Sequence, residues 1–261
     1  MACEENVVDR ITGFSAKTTA RLRGESSVYF VSMSLHASRR TAHVFDWDHV
    51  DDVLLDMDGT LLDRNFDNVL FEEALPRRYA ERESLPFEEA RDSLMAMYRS
   101  VEGQLAWTDL NYWSERVGID VVALHKELDY LIDFLPDARE FLGRLRQSGK
   151  RVTILTNAHR AGVEIKAAKT GLDRYVDRIV DAFEVGYLKM HDNYWPTCQR
   201  LVGFDPLRSL YIDDDEQCLA AAEQFGVGRI FHRSKSSSQL PAEPSARFPS
   251  LDHFGSLMNR L

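Results

Sequence analysis

Cysteine is scarce. Cys3, Cys198 and Cys218 are the only three in 261 residues. An odd number of thiols, so far apart, supplies neither a disulfide framework nor the paired spacing of a zinc site. A reducing cytoplasm is the expected compartment. Positive charge is also short: 32 Lys and Arg stand against 42 Asp and Glu, a formal net charge of −10. Such a chain lacks the broad basic face that neutralises a nucleic-acid backbone, so no nucleic-acid polymer is expected as a partner. Long apolar runs are missing, and no membrane span is expected. Glu4, Glu5, Asp9 and Arg10 stand where a basic n-region would be, and "VYFVSM" is too short for an h-region. The N-terminus therefore does not read as a secretory signal.

What is present suffices for a sizeable core, since 44% of the residues are hydrophobic. Residues 1–45 are polar and aperiodic and are expected to form a weakly ordered extension, within which Met33 is an alternative start. "DDVLLDMDG" then reads as a short apolar strand ending in acids and a glycine. From 66 to 133 the apolar residues recur at three- and four-residue spacing, which predicts helices throughout, punctuated at Pro76, Pro86, Gly103, Gly118 and Pro136. Beyond this block strands and helices alternate. "RVTILTN", "VDRIVDAF", "SLYIDDD" and "VGRIFH" read as strands, with helices between them stopped by Gly149, Gly171 and Gly226. The tail, rich in Ser and Pro, reads as mostly loop. The predicted fold is α/β: an open, parallel, doubly wound sheet with a helical segment inserted after its first strand.

Such sheets bind ligands at the carboxyl ends of their strands. "LLDMD", "ILTN" and "YIDDD" each end an apolar strand in polar side chains, so three distant segments should meet in one crevice. Asp before Gly-Thr is a common turn signal. It leaves Asp56 unexplained at a buried strand end, whereas a hard divalent cation would make Asp56 and Asp58 tolerable together. Asp51 and Asp52 precede the strand and Asp63 follows the turn; these three read as solvated or capping. Thr156 can donate a hydroxyl hydrogen bond, and backbone N–H groups near Asn157 can face an anion. Of Asp213, Asp214 and Asp215, at least the first should lie at the sheet's edge.

These segments resemble the haloacid dehalogenase-like hydrolase superfamily in its phosphatase branch. "DMDGT" at 56–60, "LTN" at 155–157, Lys189 and the Asp213–Asp214 pair stand in that family's motif order. From about Trp47 onward, "LNYWSERVGID", "LTNAH", "KTGLD" and "IDDDEQCLAAAEQFGV" are similar to the bacterial GMP/IMP nucleotidase group. The resemblance implies Asp56 as nucleophile and Asp58 as acid and base. Thr156 and Lys189 would hold the phosphoryl group, Gly59 and Asn157 the phosphate surroundings. Mg²⁺ would be held by Asp56, the backbone carbonyl of Asp58 and Asp214, with Asp213 assisting. It implies a catalytic core over 46–65 and 134–261 and a cap over 66–133. The group reads Gly-Tyr-Pro-Lys followed by two acids. Here Leu188 replaces the proline and Met190-His191 the acids, leaving Asp192 as a substitute if the loop adjusts.

The expected activity is a Mg²⁺-dependent phosphomonoesterase for a small phosphorylated substrate, a purine mononucleotide, by a monomer or homodimer. A phosphatase or mutase for small sugar or acid phosphates is a second reading. A module with decayed catalysis, suggested by the altered loop, is a third. A dehalogenase is disfavoured because Asp58 is retained. Phe66, Phe71, Tyr98, Trp107, Tyr112 and Trp113 are candidates to stack on a base, although each is more readily read as helix core. His159 and Arg160 read as exposed helix-start residues.

Overall fold

The computed structural model describes residues 45–259 and 261. The extension expected over 1–45 lies, apart from Phe45, outside the described residues. Six parallel strands form one sheet in the order β3-β2-β1-β4-β5-β6: β1 Asp52–Leu55, β2 Arg151–Thr156, β3 Arg178–Asp181, β4 Ser209–Asp213, β5 Arg229–Arg233 and β6 Ser250–Leu251. The order reverses between β1 and β4, so the chain leaves β1 toward β2 on one side and returns to β4 on the other. A ligand crevice is expected at that reversal, outside the carboxyl ends of β1, β2 and β4.

Every residue of β1 is buried, which fits a strand covered on both faces. Val53 and Leu55 join one apolar cluster, with Ile154, Ile212 and Phe141. Leu54 points the other way, into a cluster with Tyr211, Trp195 and Leu219. The period-two alternation of the strand thus serves two cores at once. Helices α6 (Ala138–Ser148) and α7 (Arg160–Thr170) contribute to the first core, α9 (Tyr194–Val202) and α10 (Glu216–Phe225) to the second.

Between β1 and β2 the chain is helical, as expected: α1 Asn65–Asn68, a π-turn over Val69–Ala74, α2 Leu75–Glu83, α3 Phe87–Ser100, α4 Leu110–Val117 and α5 Val121–Glu127. Pro76 does not interrupt this run. It lies in the first turn of α2, just after the wide π-turn. Proline cannot donate to the carbonyl four residues back, and its ring crowds that carbonyl; the wider turn accommodates both. Asp109 and Asp120 start α4 and α5 by accepting from backbone N–H groups of their first turns. The inserted helices share the first apolar cluster through Leu70, Leu94, Leu110 and Trp113.

The tail is mostly loop, as expected, with two short elements in it: β6 pairs with β5, and a short helix, α11 (Gly255–Met258), follows α8 (Ala182–Val185), α9 and α10 in chain order. Two residues supply too little pattern to be seen in sequence, and the open edge of β5 selects them. One expectation is corrected: Asp52 is not solvated. It opens β1, is 3% exposed and pairs with Arg151 at 2.7 Å. Asp51 is exposed, as expected, and Asp63 caps by accepting from the N–H of Asn65 at 2.9 Å.

Gly228, just before β5, faces the backbone of Leu207: a Cβ there would stand 2.7 Å from the Leu207 carbonyl oxygen. A backbone atom cannot rotate away as a side chain can. Gly228→Ala should destabilise the protein by about 1–3 kcal/mol, the usual cost of overpacking. Thermal unfolding checks this, with a melting temperature several degrees lower expected.

Candidate active site

The register of the three central strands places Leu55 opposite both Ile154 and Ile212. Asp56 continues the ladder one step further, its N–H donating to the Ile212 carbonyl at 2.9 Å. Its side chain therefore lies at the carboxyl edge of the sheet, beside those of Thr156 and Asp213, and all three are buried. The chain then turns sharply, Leu61 and Leu62 both donating to the Met57 carbonyl. Gly59 has φ +88°, and a Cβ on it would stand 2.2 Å from Asp214 Oδ2. Only glycine meets both demands, the left-handed backbone and the approach of the acid from the β4 loop.

Lys189 reaches this edge from the loop after α8. Its ammonium contacts Asp56 Oδ1 and lies 2.7 Å from Asp213 Oδ2. The substitution of Leu188 for proline does not displace it. Leu188 is itself buried, the N–H of Lys189 donates to Asn157 Oδ1 at 2.8 Å, and Trp195 Nε1 donates to the Lys189 carbonyl at 3.1 Å. Asp192 is exposed and pairs with no cation among the described residues, so it does not substitute for the missing acids. The acid that pairs with Lys189 beside Asp56 is Asp213, from within the sheet. It also accepts from the Tyr211 hydroxyl and, at 2.9 Å, from the N–H of Asp215.

Burial pushes the Asp56 carboxyl well above the ordinary carboxylate range; Lys189 opposes this, while Asp213 and Asp214 add to it. Burial, with Asp213 beside it, raises Asp214 to about 7 against the pull of Arg64 and Lys189. Asp56 Oδ2 is buried with no hydrogen-bond partner. Asp56, Asp213 and Asp214 each bring an oxygen within 4.8 Å of one another. An orphaned carboxylate oxygen among three acids is a donor set that suits a hard cation.

Asp58 belongs to a second cluster. Its carboxyl oxygen lies 2.8 Å from the ammonium of Lys166, which donates to both oxygens of Asp67 at 2.8 and 3.0 Å. Lys166 is 2% exposed. Burial favours its neutral amine, but Asp58 and Asp67 outweigh that and hold it above its ordinary range. Burial raises Asp67 to about 6, with Lys166 opposing and Asp58 adding. Sequence reasoning passed over Lys166, Asp67 and Arg64, which lies 3.0 Å from Asp214. For Lys166 a signal existed: in α7 it shares the buried stripe of Gly162 and Val163. A lysine on the apolar face of a helix needs a partner.

The two clusters open into one cavity of about 360 Å³. Phe71, Tyr98, Trp107 and Trp113 line it from the inserted helices, and Thr156 and His159 line it from β2 and the start of α7. Phe66 and Tyr112, also candidates to stack, are not in its wall. Phe66 lies under His125, ring centroids 4.7 Å apart, and Tyr112 stands edge-on to Trp113. Arg160 is exposed, as expected, but His159 faces the cavity and caps α7 through Nδ1. The Thr156 oxygen accepts from the N–H of Ala158 at 3.0 Å, which leaves its hydroxyl hydrogen free to donate.

The model of the haloacid dehalogenase-like hydrolase family matches residues 50–226. The GMP/IMP nucleotidase YrfG of Escherichia coli K12 is 35% identical over 215 residues, 82% of this chain and 97% of that one. Among solved structures, a HAD phosphatase from Thermococcus onnurineus superposes with a TM-score of 0.67 at 20% identity, covering 80% of this chain and 96% of its own. CbbY from Rhodobacter sphaeroides, in complex with phosphate, gives 0.55 at 18%, covering 80% and 96%. At those identities the structures speak for the fold alone. The family match, the close relative and the convergent acids agree: the chain belongs to the haloacid dehalogenase-like hydrolase family and is an enzyme of its phosphatase type.

Proposed function

We propose that this enzyme is a Mg²⁺-dependent phosphomonoesterase that forms an aspartyl-phosphate on Asp56 and acts on purine 5′-nucleotides such as GMP and IMP. The observation that carries the reading is the meeting of Asp56, Lys189, Asp213 and Asp214 in the wall of an aromatic-lined cavity. The 35% identity to a GMP/IMP nucleotidase over 82% of the chain supports the choice of leaving group. The cavity is also large enough, since small-molecule sites start at about 300 Å³.

In this reading a carboxylate oxygen of Asp56 attacks phosphorus as the bond to the leaving oxygen breaks. Lys189 balances the charge of Asp56 and of the equatorial phosphoryl oxygens, and the Thr156 hydroxyl donates to one of them. Asp58 gives its proton to the leaving alcohol. It then takes one from the water that attacks the phosphoenzyme, which frees phosphate and restores Asp56. Asp56, Asp214 and the backbone carbonyl of Asp58 would hold the cation, while Asp213 chiefly secures Lys189. Bound there, Mg²⁺ would neutralise phosphate and carboxylate charge together. Gly59 allows the close turn beneath the phosphate, and Asn157 secures Lys189 through its backbone N–H.

Residues 46–65 and 134–261 would be the catalytic core, and 66–133 a cap that excludes water and selects the leaving group. Phe71, Tyr98 and Trp107 are the aromatic rings best placed for a purine, and stacking can supply about 1–3 kcal/mol. The cytoplasm, where mononucleotides and reduced thiols coexist, is the proposed compartment. A phosphatase or mutase for small sugar phosphates would need polar groups where this cavity has aromatic ones.

A panel of phosphomonoesters assayed with and without Mg²⁺ tests the reading. GMP and IMP should be preferred to sugar phosphates, and chelation should abolish turnover. Equal or better turnover of sugar phosphates would reject the nucleotidase assignment, and no turnover of any ester would reject the phosphatase one.

Asp56→Asn should reduce turnover to background. It should also melt no lower than the wild type near neutral pH. The raised pKa means that the folded state disfavours the ionised carboxylate, and its cost to stability is present above the ordinary carboxylate range. Calorimetry alongside the assay checks both halves; near-normal activity would remove Asp56 from the nucleophile's role.

A further inference from the structure

Lys166 is the one lysine in the cavity that the proposed chemistry leaves without a task. Its placement is specific. It sits on the buried face of α7, is 2% exposed, and stands between Asp58 from the turn after β1 and Asp67 from α1. Its two contacts differ in kind. Asp67 accepts from the ammonium with both oxygens, at 2.8 and 3.0 Å. Asp58 approaches it with one oxygen at 2.8 Å. The ammonium is therefore anchored through two contacts to Asp67 and pairs with Asp58 through one. Phe66 closes its remaining side, with the ring centroid 5.1 Å from Nζ.

We propose that Lys166, fixed by Asp67, is a positioning residue that holds the Asp58 carboxyl toward the cavity, on the side where a leaving oxygen departs. The inference rests on the role proposed for Asp58. The geometry separates two duties between two lysines: Lys189 serves the pair Asp56 and Asp213, and Lys166 serves Asp58 without touching Asp56. A carboxyl held through one oxygen can turn between the ammonium and a substrate oxygen by giving up a single contact. One held through both oxygens would have to break two. The proton passes from Asp58 to the leaving oxygen as the phosphorus–oxygen bond breaks, and Lys166 exchanges no proton in the step.

The test compares two substrates on one preparation. A nucleoside 5′-monophosphate leaves as a basic alkoxide and needs Asp58's proton; p-nitrophenyl phosphate leaves as a stable phenolate and does not. The ratio of their kcat/KM values cancels any loss of folded protein, and kcat/KM ends at leaving-group departure, before water attacks. Lys166→Met should lower kcat/KM for the nucleotide by about 100-fold, the low end for general acid catalysis, and for p-nitrophenyl phosphate by less than about 10-fold. Asp67→Asn, nearly isosteric, should shift the ratio in the same direction by less.

Asp58→Asn is the reference. If it discriminates between the esters and Lys166→Met lowers both equally, the inference is overturned while the role of Asp58 stands. If Asp58→Asn itself lowers both equally, both ideas are overturned. A rise in KM for the nucleotide with unchanged kcat would also overturn it, because it would make Lys166 a substrate-binding group instead.

Discussion

Everything at the carboxyl edge of the sheet depends on one buried ammonium. Asp56 and Asp213 end adjacent parallel strands, so the register itself forces their carboxyls together in a place largely buried from water. Isolated buried carboxylates are costly, and like charges at this range add to the cost. Lys189 stands against both, and it is held there by hydrogen bonds to its own backbone N–H and carbonyl from Asn157 and Trp195. Even so, Asp56 is left with burial outweighing its partner and with one oxygen unmatched. That residue of unmet charge is what a folded protein retains only where chemistry uses it. The glycine of the same turn, Gly59, is required by its left-handed backbone, φ +88°, and its bare Cα leaves room for the Asp214 carboxyl.

Much of this was legible in the sequence, for identifiable reasons. Five of the six strands announced themselves because each is a dense apolar run bounded by glycine or acid, and their alternation with helices implies a parallel sheet. Asp56, Thr156 and Asp213 could be brought together on paper because a parallel sheet places all strand ends on one edge. Lys189 could be placed in the motif, but not in space. Whether a loop with Leu188 for proline still delivers it depends on partners at positions 157 and 195, which local pattern does not reveal. Asp52 was misread because a charged residue at a strand's first position looks like loop until its partner on β2 is known. Asp67 and Arg64 carried no signal at all: each is an ordinary charge on a helical or turn segment, made functional only by what the fold sets opposite.

The inserted helices deserve the same physical reading. They do not sit on the sheet as a detached layer, because Leu70, Leu94 and Trp113 belong to the same apolar cluster as the strands. Where α5 meets α7, His125 fits against Gly162, with a would-be Cβ only 3.3 Å from its Nε2. Both its ring nitrogens are buried without partners, and burial lowers its pKa to about 3, so the ring is neutral. An imidazole with neither nitrogen satisfied weakens the seam it occupies. The boundary between insert and sheet is thus apolar where Leu70, Leu94 and Trp113 pack, and polar where Lys166 meets Asp67 and where His125 meets Gly162.

The way Lys189 is fastened has a consequence for how freely its loop can vary. Both clasps grip the main chain, and both come from other segments of the fold. The side chains at 187 and 191 brace the loop instead of touching the ammonium: their rings stack 4.8 Å apart, and His191 Nδ1 accepts from the N–H of Asn193 at 3.2 Å. Changes in the loop's composition can be tolerated where they keep that brace, while the charge it carries stays in place.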